Sequence, residues 1–153
     1  MATRTVSAFD RLSPNVQARL AGLMRPVDYR AGAVVLREGI DTPFLGAILG
    51  GRIALGLRVP ELGDRLTIVT IEPGELIGWS AVVPPYRATV DAIATEPTHL
   101  LAIDAAALRE HLAGDCEMAG ELLPLVLASV SHRLSASWQQ LLDVFGVGAP
   151  EPW

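Results

Sequence analysis

The most informative stretch of the chain is Pro73-Gly74-Glu75-Leu76-Ile77-Gly78-Trp79-Ser80, followed after a short spacer by Arg87-Ala88-Thr89-Val90. It forms a tight, largely apolar turn between two strand-like runs and places a lone arginine just past that turn. A guanidinium group and free backbone N–H groups together bind a phosphate well, and a glycine-containing turn before a strand can supply both. The stretch therefore predicts an anion-binding turn inside a β-rich fold.

Around this turn the chain has the pattern of short β-strands. From Val27 to Ile103, short apolar runs alternate with Gly, Pro and Asp, which is typical of strands joined by tight turns. We expect an all-β segment there, as a small barrel or jelly roll. Before it, Ser13 and Pro14 indicate the start of an amphipathic helix over residues 14–24, capped by the Ser13 hydroxyl.

Helix formers replace the β pattern after the β segment. Asp104 is the expected N-cap of a short helix over residues 105–112, and Asp115 that of a longer helix ending near Phe145. Pro124 lies about two turns inside the longer helix. Because proline lacks the N–H that a helix interior needs, we expect Pro124 to divide this helix in two.

In these stretches the chain resembles the cyclic nucleotide-binding domain superfamily. The phosphate-binding cassette of that superfamily reads roughly P-G-[DE]-x-[FI]-G-E-x-[AS], a variable stretch, and then R-x-[AS]-[TS]-V-x-A. Residues 87–92 read R-A-T-V-D-A and match the closing part. The opening part matches except at one position, where Trp79 replaces the glutamate.

The resemblance covers nearly the whole chain and implies a single domain over residues 1–153. The implied fold class is mainly β with flanking helices: an N-terminal helix at 14–24, a β-roll at 27–103 and C-terminal helices over 105–145. The roll is expected to be a double-stranded β-helix of jelly-roll type. An unrelated jelly roll such as a cupin is the alternative, but its metal site needs a cluster of His and Glu, and only His99 lies in the β segment.

The resemblance also implies a ligand site at the cassette. The residues expected to bind the ligand are Gly78, Trp79, Ser80, Arg87, Ala88 and Thr89. Arg87 would hold the cyclic phosphate, with the free N–H groups of Ala88 and Thr89 beside it, while Ser80 would cap a short helix. The implied ligands are cyclic AMP or cyclic GMP, and no other cofactor is expected.

Trp79 changes what this site can do. The glutamate of the family accepts a hydrogen bond from the ribose 2′-hydroxyl, whereas an indole can only donate one. Trp79 therefore either fills the sugar pocket or forms a platform on which a flat ligand stacks. Glu75 is the nearest carboxylate in sequence, and we expect it to be a solvated strand residue.

Composition excludes several classes of function. The net charge of -5 and the pI near 5.1 argue against a nucleic-acid surface. No apolar run approaches the roughly 20 residues that a membrane span needs. The N-terminal residues are not followed by the apolar run of a secretory signal. The single cysteine, Cys116, cannot form an internal disulfide. A cytoplasmic protein is therefore expected.

No catalytic or metal-binding constellation is found in the sequence. His99, His111 and His132 fall on different expected elements without metal-ligand spacing. Cys116 has no neighbouring histidine, and Ser80 does not lie in a G-x-S-x-G turn. We therefore expect neither a metal nor an enzymatic activity.

The long helix carries apolar residues at alternating spacings of three and four, as in a two-stranded coiled coil. The residues expected at the dimer interface are Leu127, Val130, Leu134 and Leu141. The alternative is one wide apolar stripe buried within its own domain. In the superfamily the equivalent helix commonly forms the dimer interface, which implies a homodimer here.

In transcription regulators of this superfamily a helix-turn-helix domain follows the long helix, but this chain stops first. DNA binding is therefore not expected. Two functions stay open. One is a stand-alone, non-catalytic sensor that binds a cyclic nucleotide or another phosphate-bearing ligand through Arg87. The other is a ligand-free scaffold for an unidentified protein partner, with its pocket closed by Trp79.

Overall fold

The structure of the chain is a computed structural model that describes residues 6–146, so both ends of the expected 1–153 domain lie outside the described residues. The strands in this range are β1 (Met24–Tyr29), β2 (Val34–Leu36), β3 (Phe44–Gly50), β4 (Ile53–Val59), β5 (Asp64–Ile71), β6 (Leu76–Ile77), β7 (Asp91–Ala94) and β8 (Thr98–Asp104). They form two antiparallel sheets, with the orders β1-β8-β3-β6 and β2-β7-β4-β5. The expected jelly-roll class is confirmed.

The core has two layers, which meet at the sheet that contains β3. Successive side chains of a strand point to opposite faces. Leu45 and Ala47 therefore pack against the helices, whereas Phe44 and Ile48 pack inside the roll, against residues of the other sheet. Because both faces of β3 are covered, its sequence is apolar throughout rather than alternating.

Within residues 6–146, three α-helices flank the roll: α1 (Pro14–Ala21), α2 (Ala105–Gly114) and α3 (Cys116–Val144). The two predicted caps are confirmed. The Asp104 carboxylate accepts a 3.0 Å hydrogen bond from the Ala107 N–H, and the Asp115 carboxylate accepts one of 3.0 Å from the Met118 N–H. Each cap satisfies a backbone donor that has no partner within its helix.

The N-terminal helix is shorter than predicted, and the prediction that the Ser13 hydroxyl caps it was wrong. The helix ends at Ala21, and β1 begins at Met24 instead of near Val27. Ser13 occupies the N-cap position, but its hydroxyl makes no capping bond. It donates instead to the Glu121 carboxylate at 2.9 Å, which ties α1 to α3.

The prediction that Pro124 divides the last helix was also wrong, because α3 runs unbroken through it. A proline inside a helix costs roughly 3 kcal/mol. The side chains of Met118, Leu122 and Val126 are buried on both sides of Pro124. Burying each of them contributes about 1.5–3 kcal/mol, which is enough to offset that cost. Among residues 6–146, no helix has both the length and the apolar character to cross a membrane.

Candidate functional site

The cassette turn begins where β6 ends and cannot be built without a glycine. Gly78 has a φ of 83°, in the left-handed region, and a side chain there would meet the carbonyl oxygen of Phe44. Residues Trp79–Ala81 then form a 3₁₀ helix for which Gly78 is the N-cap. Gly78 thus shapes the turn and lets it lie against the backbone of β3.

Ser80 does not cap this 3₁₀ helix, which corrects the prediction. It lies inside the helix and is buried, and its hydroxyl shares a 2.6 Å hydrogen bond with the Thr42 hydroxyl. A buried hydroxyl needs a partner, and Thr42 supplies one from the loop before β3. Ser80 therefore anchors the turn to the roll.

The outer part of the turn is held by α2. The Arg109 guanidinium donates to the Ala81 carbonyl at 2.8 Å and lies 4.3 Å from the centre of the Tyr86 ring. Tyr86 is the one residue other than glycine with a positive φ among the described residues, at 63°. The cation on the Tyr86 ring is therefore Arg109, and Arg87 is left to other contacts.

Arg87 lies on the surface next to this turn. Its side chain is 62% exposed, and its Nε lies 3.4 Å from a carboxylate oxygen of Asp41, which is also exposed. The backbones of Asp41 and Arg87 form an isolated antiparallel bridge, so the two side chains start from adjacent positions. Such an exposed ion pair is worth at most about 1 kcal/mol, so another anion can displace the carboxylate.

The expectation that Ala88 offers a free N–H was wrong. Its N–H donates to the Ile40 carbonyl at 2.9 Å, and its own carbonyl accepts a 2.8 Å bond from the Gly39 N–H. The backbone of Ala88 thus pairs with the loop after β2. Ala88 is buried, whereas Thr89 beside it is exposed.

Two adjoining cavities lie beneath the cassette. The inner recess, of about 20 Å³, is bounded by Gly78, Trp79, Ser80, Ala88, Thr89 and Arg133, with further residues of the roll. The α3 cavity, of about 280 Å³, lies between β4, β5 and α3. Five of the six expected ligand residues thus line one recess. Arg87 lines neither cavity.

Trp79 is half-buried and lines both cavities, while also packing against the core next to the helices. Glu75, the other residue considered near the sugar position, precedes β6 rather than lying on a strand. Its carboxylate accepts a 2.7 Å bond from the Glu72 N–H and lies 3.5 Å from His132. Glu75 therefore closes the turn before the cassette.

Arg133 of α3 is a site residue that sequence reasoning missed. It lines both cavities, and its Nη2 is buried without a hydrogen-bond partner in the described structure. Burial lowers the pKa of this guanidinium to about 10, although the nearby Glu75 carboxylate acts against the shift. A signal existed: Arg133 comes seven residues after buried Val126 and so continues the inward face of α3.

Asp91, in the closing part of the cassette, was also missed. Its buried carboxylate accepts hydrogen bonds from the Glu38 N–H (2.9 Å), Arg58 Nε (3.1 Å) and Arg65 Nε (2.9 Å). Burial alone would raise the pKa of Asp91, but these three donors outweigh it and hold the pKa below its ordinary value. Asp91 thus fastens the end of the cassette to the β4–β5 hairpin.

In the part of the chain that the structure describes, no three His, Cys, Asp or Glu side chains come together as a metal site would require. The polar groups that converge are those of the cassette and Arg133. Chemically, such an arrangement can bind an anion at the surface through Arg87 and can donate a hydrogen bond from Arg133 of α3 to an acceptor in the recess.

Curated relatives and solved structures resemble this chain. A CRP-like cAMP-activated global transcriptional regulator of Mycobacterium tuberculosis is 25% identical over 142 residues. The match covers 93% of this chain and 61% of that protein, so the chain spans less than two thirds of the relative's length. The N-terminal domain of a transcriptional regulator from Streptomyces coelicolor A3(2) is 26% identical, with a TM-score of 0.64, covering 84% of this chain and 88% of that one.

A second solved structure, a cyclic nucleotide-binding domain from Methylobacillus flagellatus, has a TM-score of 0.77 over 93% of this chain and 78% of that one. At 20% identity this likeness concerns the fold alone. The family model described as the cyclic nucleotide-binding domain matches residues 26–115, more than half of the chain. This match spans the whole cassette and most of the roll, and the chain belongs to the cyclic nucleotide-binding domain family.

Proposed function

We propose that this chain is a non-catalytic regulatory module that binds a cyclic nucleotide, with Arg87 holding the phosphate. The observation that carries the proposal is the inner recess, which is lined by Gly78, Trp79 and Ser80 of the turn and by Ala88 and Thr89. The last two residues directly follow Arg87 in the sequence. Support also comes from the M. tuberculosis relative, which is a cAMP-activated regulator.

The Asp41 carboxylate stands in for the ligand at Arg87. A carboxylate and a phosphate present similar charged oxygens to a guanidinium group. Because the ion pair is exposed and weak, the phosphate of a nucleotide can replace Asp41 and bring the rest of the ligand towards the recess. With the Ala88 N–H already bonded to Ile40, Arg87 carries most of the phosphate binding.

Trp79 weakens this binding and favours a second candidate function. Without the family glutamate, the ribose hydroxyl loses a charge-assisted hydrogen bond worth roughly 1.5–3 kcal/mol, or about one to two decades of affinity. The recess is also small, at about 20 Å³, with Trp79 on its wall. The alternative is therefore a scaffold that binds an unidentified protein partner and keeps the pocket closed by Trp79.

Isothermal titration with cyclic AMP and cyclic GMP separates these functions. The wild type should show weak but saturable binding. The Arg87→Ala variant should lose it, whereas Trp79→Glu should raise the affinity by about one to two decades, because the carboxylate restores the ribose contact. Arg30→Ala, at an exposed arginine outside the cavities, is the matched control and should bind like the wild type. If the wild type and a folded Trp79→Glu both release no heat, the scaffold function is supported instead.

We also propose that the module forms a homodimer. Leu127, Leu134 and Leu141 are exposed by 68%, 48% and 54%, and together with exposed Trp138 they follow one another at helical spacing along α3, where Leu134 also borders the α3 cavity. Val130, the fourth residue expected at the interface, is half-buried against the α3 cavity instead. An apolar stripe at this spacing is stabilised when it packs against a second copy of itself.

The substitution Leu127→Asp tests the dimer, because Leu127 lines neither cavity of the site. In a symmetric pair the change places two charges in the interface, so the variant should be monomeric at tens of micromolar while the wild type is dimeric. Gln139→Asp, at an exposed position on another side of α3, is the matched control and should stay dimeric. Light scattering that finds a monomeric wild type would remove this part of the proposal.

A further inference from the structure

Another cavity, of about 290 Å³, lies between α3, the turn before β6 and the short 3₁₀ helix Ala8–Arg11. We call it the N-terminal cavity. The residues of its wall that matter here are Ala8, Arg11, Glu75, Leu76, Leu125 and His132. No residue of its wall lines the inner recess or the α3 cavity. The N-terminal cavity is therefore a separate candidate site.

The 3₁₀ helix that carries Arg11 is held firmly in place. The Ser7 hydroxyl accepts a 3.2 Å hydrogen bond from the Phe9 N–H, and the Asp10 carboxylate accepts one of 2.9 Å from the Ser7 N–H. The side chains of Ala8 and Phe9 are buried in the core next to the helices. Because a 3₁₀ helix has three residues per turn, Ala8 and Arg11 share one of its faces. This wall of the cavity is thus formed before any ligand binds.

Two opposite charges border the cavity. The exposed Arg11 guanidinium makes no ion pair or hydrogen bond within residues 6–146. One oxygen of the Glu75 carboxylate accepts the 2.7 Å bond from the Glu72 N–H. The other lies 3.5 Å from Nε2 of His132, whose side chain is 72% exposed. Such an exposed contact is weak, so a cation can replace His132 at Glu75.

The charges limit what the ligand can be. A simple anion would be repelled by Glu75, and a simple cation would be repelled by Arg11. A molecule that carries both charges is complementary to both residues. The rest of the wall includes the apolar side chains of Ala8, Leu76 and Leu125. An apolar wall with a few charged groups is typical of a small-molecule site, and the volume of about 290 Å³ fits the small end of that class.

We propose that the N-terminal cavity binds a free α-amino acid with an apolar side chain, such as leucine. The Arg11 guanidinium pairs with the carboxylate of the amino acid, for which its planar fork is suited. The free oxygen of Glu75 accepts from the ammonium group in place of His132. The apolar side chain of the ligand packs against Leu76 and Leu125.

Isothermal titration with leucine and two analogues tests the proposal. Isocaproate has the carbon skeleton and carboxylate of leucine without the amine, and isoamylamine has the amine without the carboxylate. The wild type should bind leucine saturably and each analogue at least about tenfold more weakly, because each lacks one charge-assisted hydrogen bond. Wild-type protein that releases no saturable heat with leucine, or that binds either analogue as tightly as leucine, would overturn the inference.

Two substitutions should each remove one of these contacts. Arg11→Met should weaken leucine by at least about tenfold and leave isoamylamine unchanged, since the amine does not use Arg11. Glu75→Gln keeps an acceptor for the Glu72 N–H, and it should weaken leucine by a similar factor without weakening isocaproate. Arg30→Met and Glu110→Gln, at exposed charges outside the cavity, are the matched controls and should bind leucine like the wild type.

The two sites can be told apart. Arg87→Ala should keep the wild-type affinity for leucine, because Arg87 does not line the N-terminal cavity. If it loses leucine instead, the amino acid binds at the cassette and the inference is wrong. A thermal melt of each variant checks that it is folded. Should Glu75→Gln be unfolded, Arg11→Met decides alone, and equal weakening of leucine and isoamylamine by that substitution would contradict the inference. Cyclic nucleotide binding is tested separately by the titrations of the proposed function.

Discussion

Two buried charged residues of this site have opposite environments: Asp91, in the closing part of the cassette, and Arg133, which lines the inner recess from α3. The Asp91 carboxylate is 3% exposed and accepts three hydrogen bonds, so its environment favours the charged form. The Arg133 guanidinium is buried with Nη2 unbonded, so its environment disfavours the charged form. Both pKa values are lowered, but for an acid this records stabilisation of the charge and for a base destabilisation.

The difference separates a buried charge that stabilises the fold from one that the described structure leaves without a full set of partners. A buried charge with a full set of partners fixes local structure, as Asp91 does between the cassette and the β4–β5 hairpin. A buried charge without partners lowers the stability of the empty protein. Arg133 is then explained if its missing acceptor arrives with a ligand. Substitution of either Asp91 or Arg133 tests this difference.

The largest effect is expected for Asp91→Asn, which removes the charge but keeps the shape. The amide has one acceptor oxygen, so it cannot accept both from the Glu38 N–H, which bonds Oδ1, and from Arg58 and Arg65, which bond Oδ2. We therefore expect the free energy of unfolding to fall by about 2–3 kcal/mol. Chemical denaturation measures this change. Asp64→Asn, at an exposed aspartate of the same hairpin, is the control and should change stability by less than about 0.5 kcal/mol. Equal effects of the two substitutions would show that Asp91 is an ordinary surface charge.

A smaller change of the opposite sign is expected for Arg133→Met. An apolar side chain of similar length removes the unpaired charge, so the ligand-free protein should be stabilised by about 1–2 kcal/mol. The guanidinium has a pKa of about 10, so this gain should be fully present at neutral pH, where wild-type Arg133 is charged. Arg30→Met serves as the control in the same denaturation experiment. A destabilised Arg133→Met would mean that Arg133 has structural partners after all, and the contrast with Asp91 would disappear.

The smallest effect is a change with pH. Because the folded-state pKa of Asp91 lies below its ordinary value of 3.8, its contribution is present above that value and is lost as the pH falls through the folded-state pKa. The stability difference between the wild type and Asp91→Asn should therefore be constant above about pH 5 and narrow at lower pH. Denaturation curves between neutral and acid pH measure it. If the stability difference between the two proteins widened as the pH falls, the conclusion that Asp91 is charged in the folded protein would be contradicted.

The sequence predicted the parts of this molecule that depend on local pattern. The alternation of short apolar runs with Gly, Pro and Asp predicted a small barrel or jelly roll, and the family resemblance implied the jelly-roll type that the structure has. Asp104 and Asp115 predicted two helix starts. The cassette motif located the residues around Gly78, because only glycine fits the close approach to Phe44. These features are encoded within a few residues of one another.

Features that depend on distant contacts could not be predicted in this way. The continuity of α3 through Pro124 depends on core packing, and the role of Ser80 depends on Thr42, which lies 38 residues earlier. The Ala88 N–H is taken by Ile40 from another loop. Arg133 lies far from the cassette in sequence, and only the folded helix brings it to the recess. Each of these depends on which side chains meet, and the pattern of a single segment does not contain that.

The most direct test of the account is a crystal structure of the protein with cyclic GMP. We expect the cyclic phosphate within hydrogen-bond distance of the Arg87 guanidinium, in place of the Asp41 carboxylate, and a hydrogen-bond acceptor of the ligand at Nη2 of Arg133. The contrary result is a structure grown at saturating cyclic GMP in which Arg87 stays paired with Asp41, Trp79 closes an empty recess and Nη2 of Arg133 is still without an acceptor.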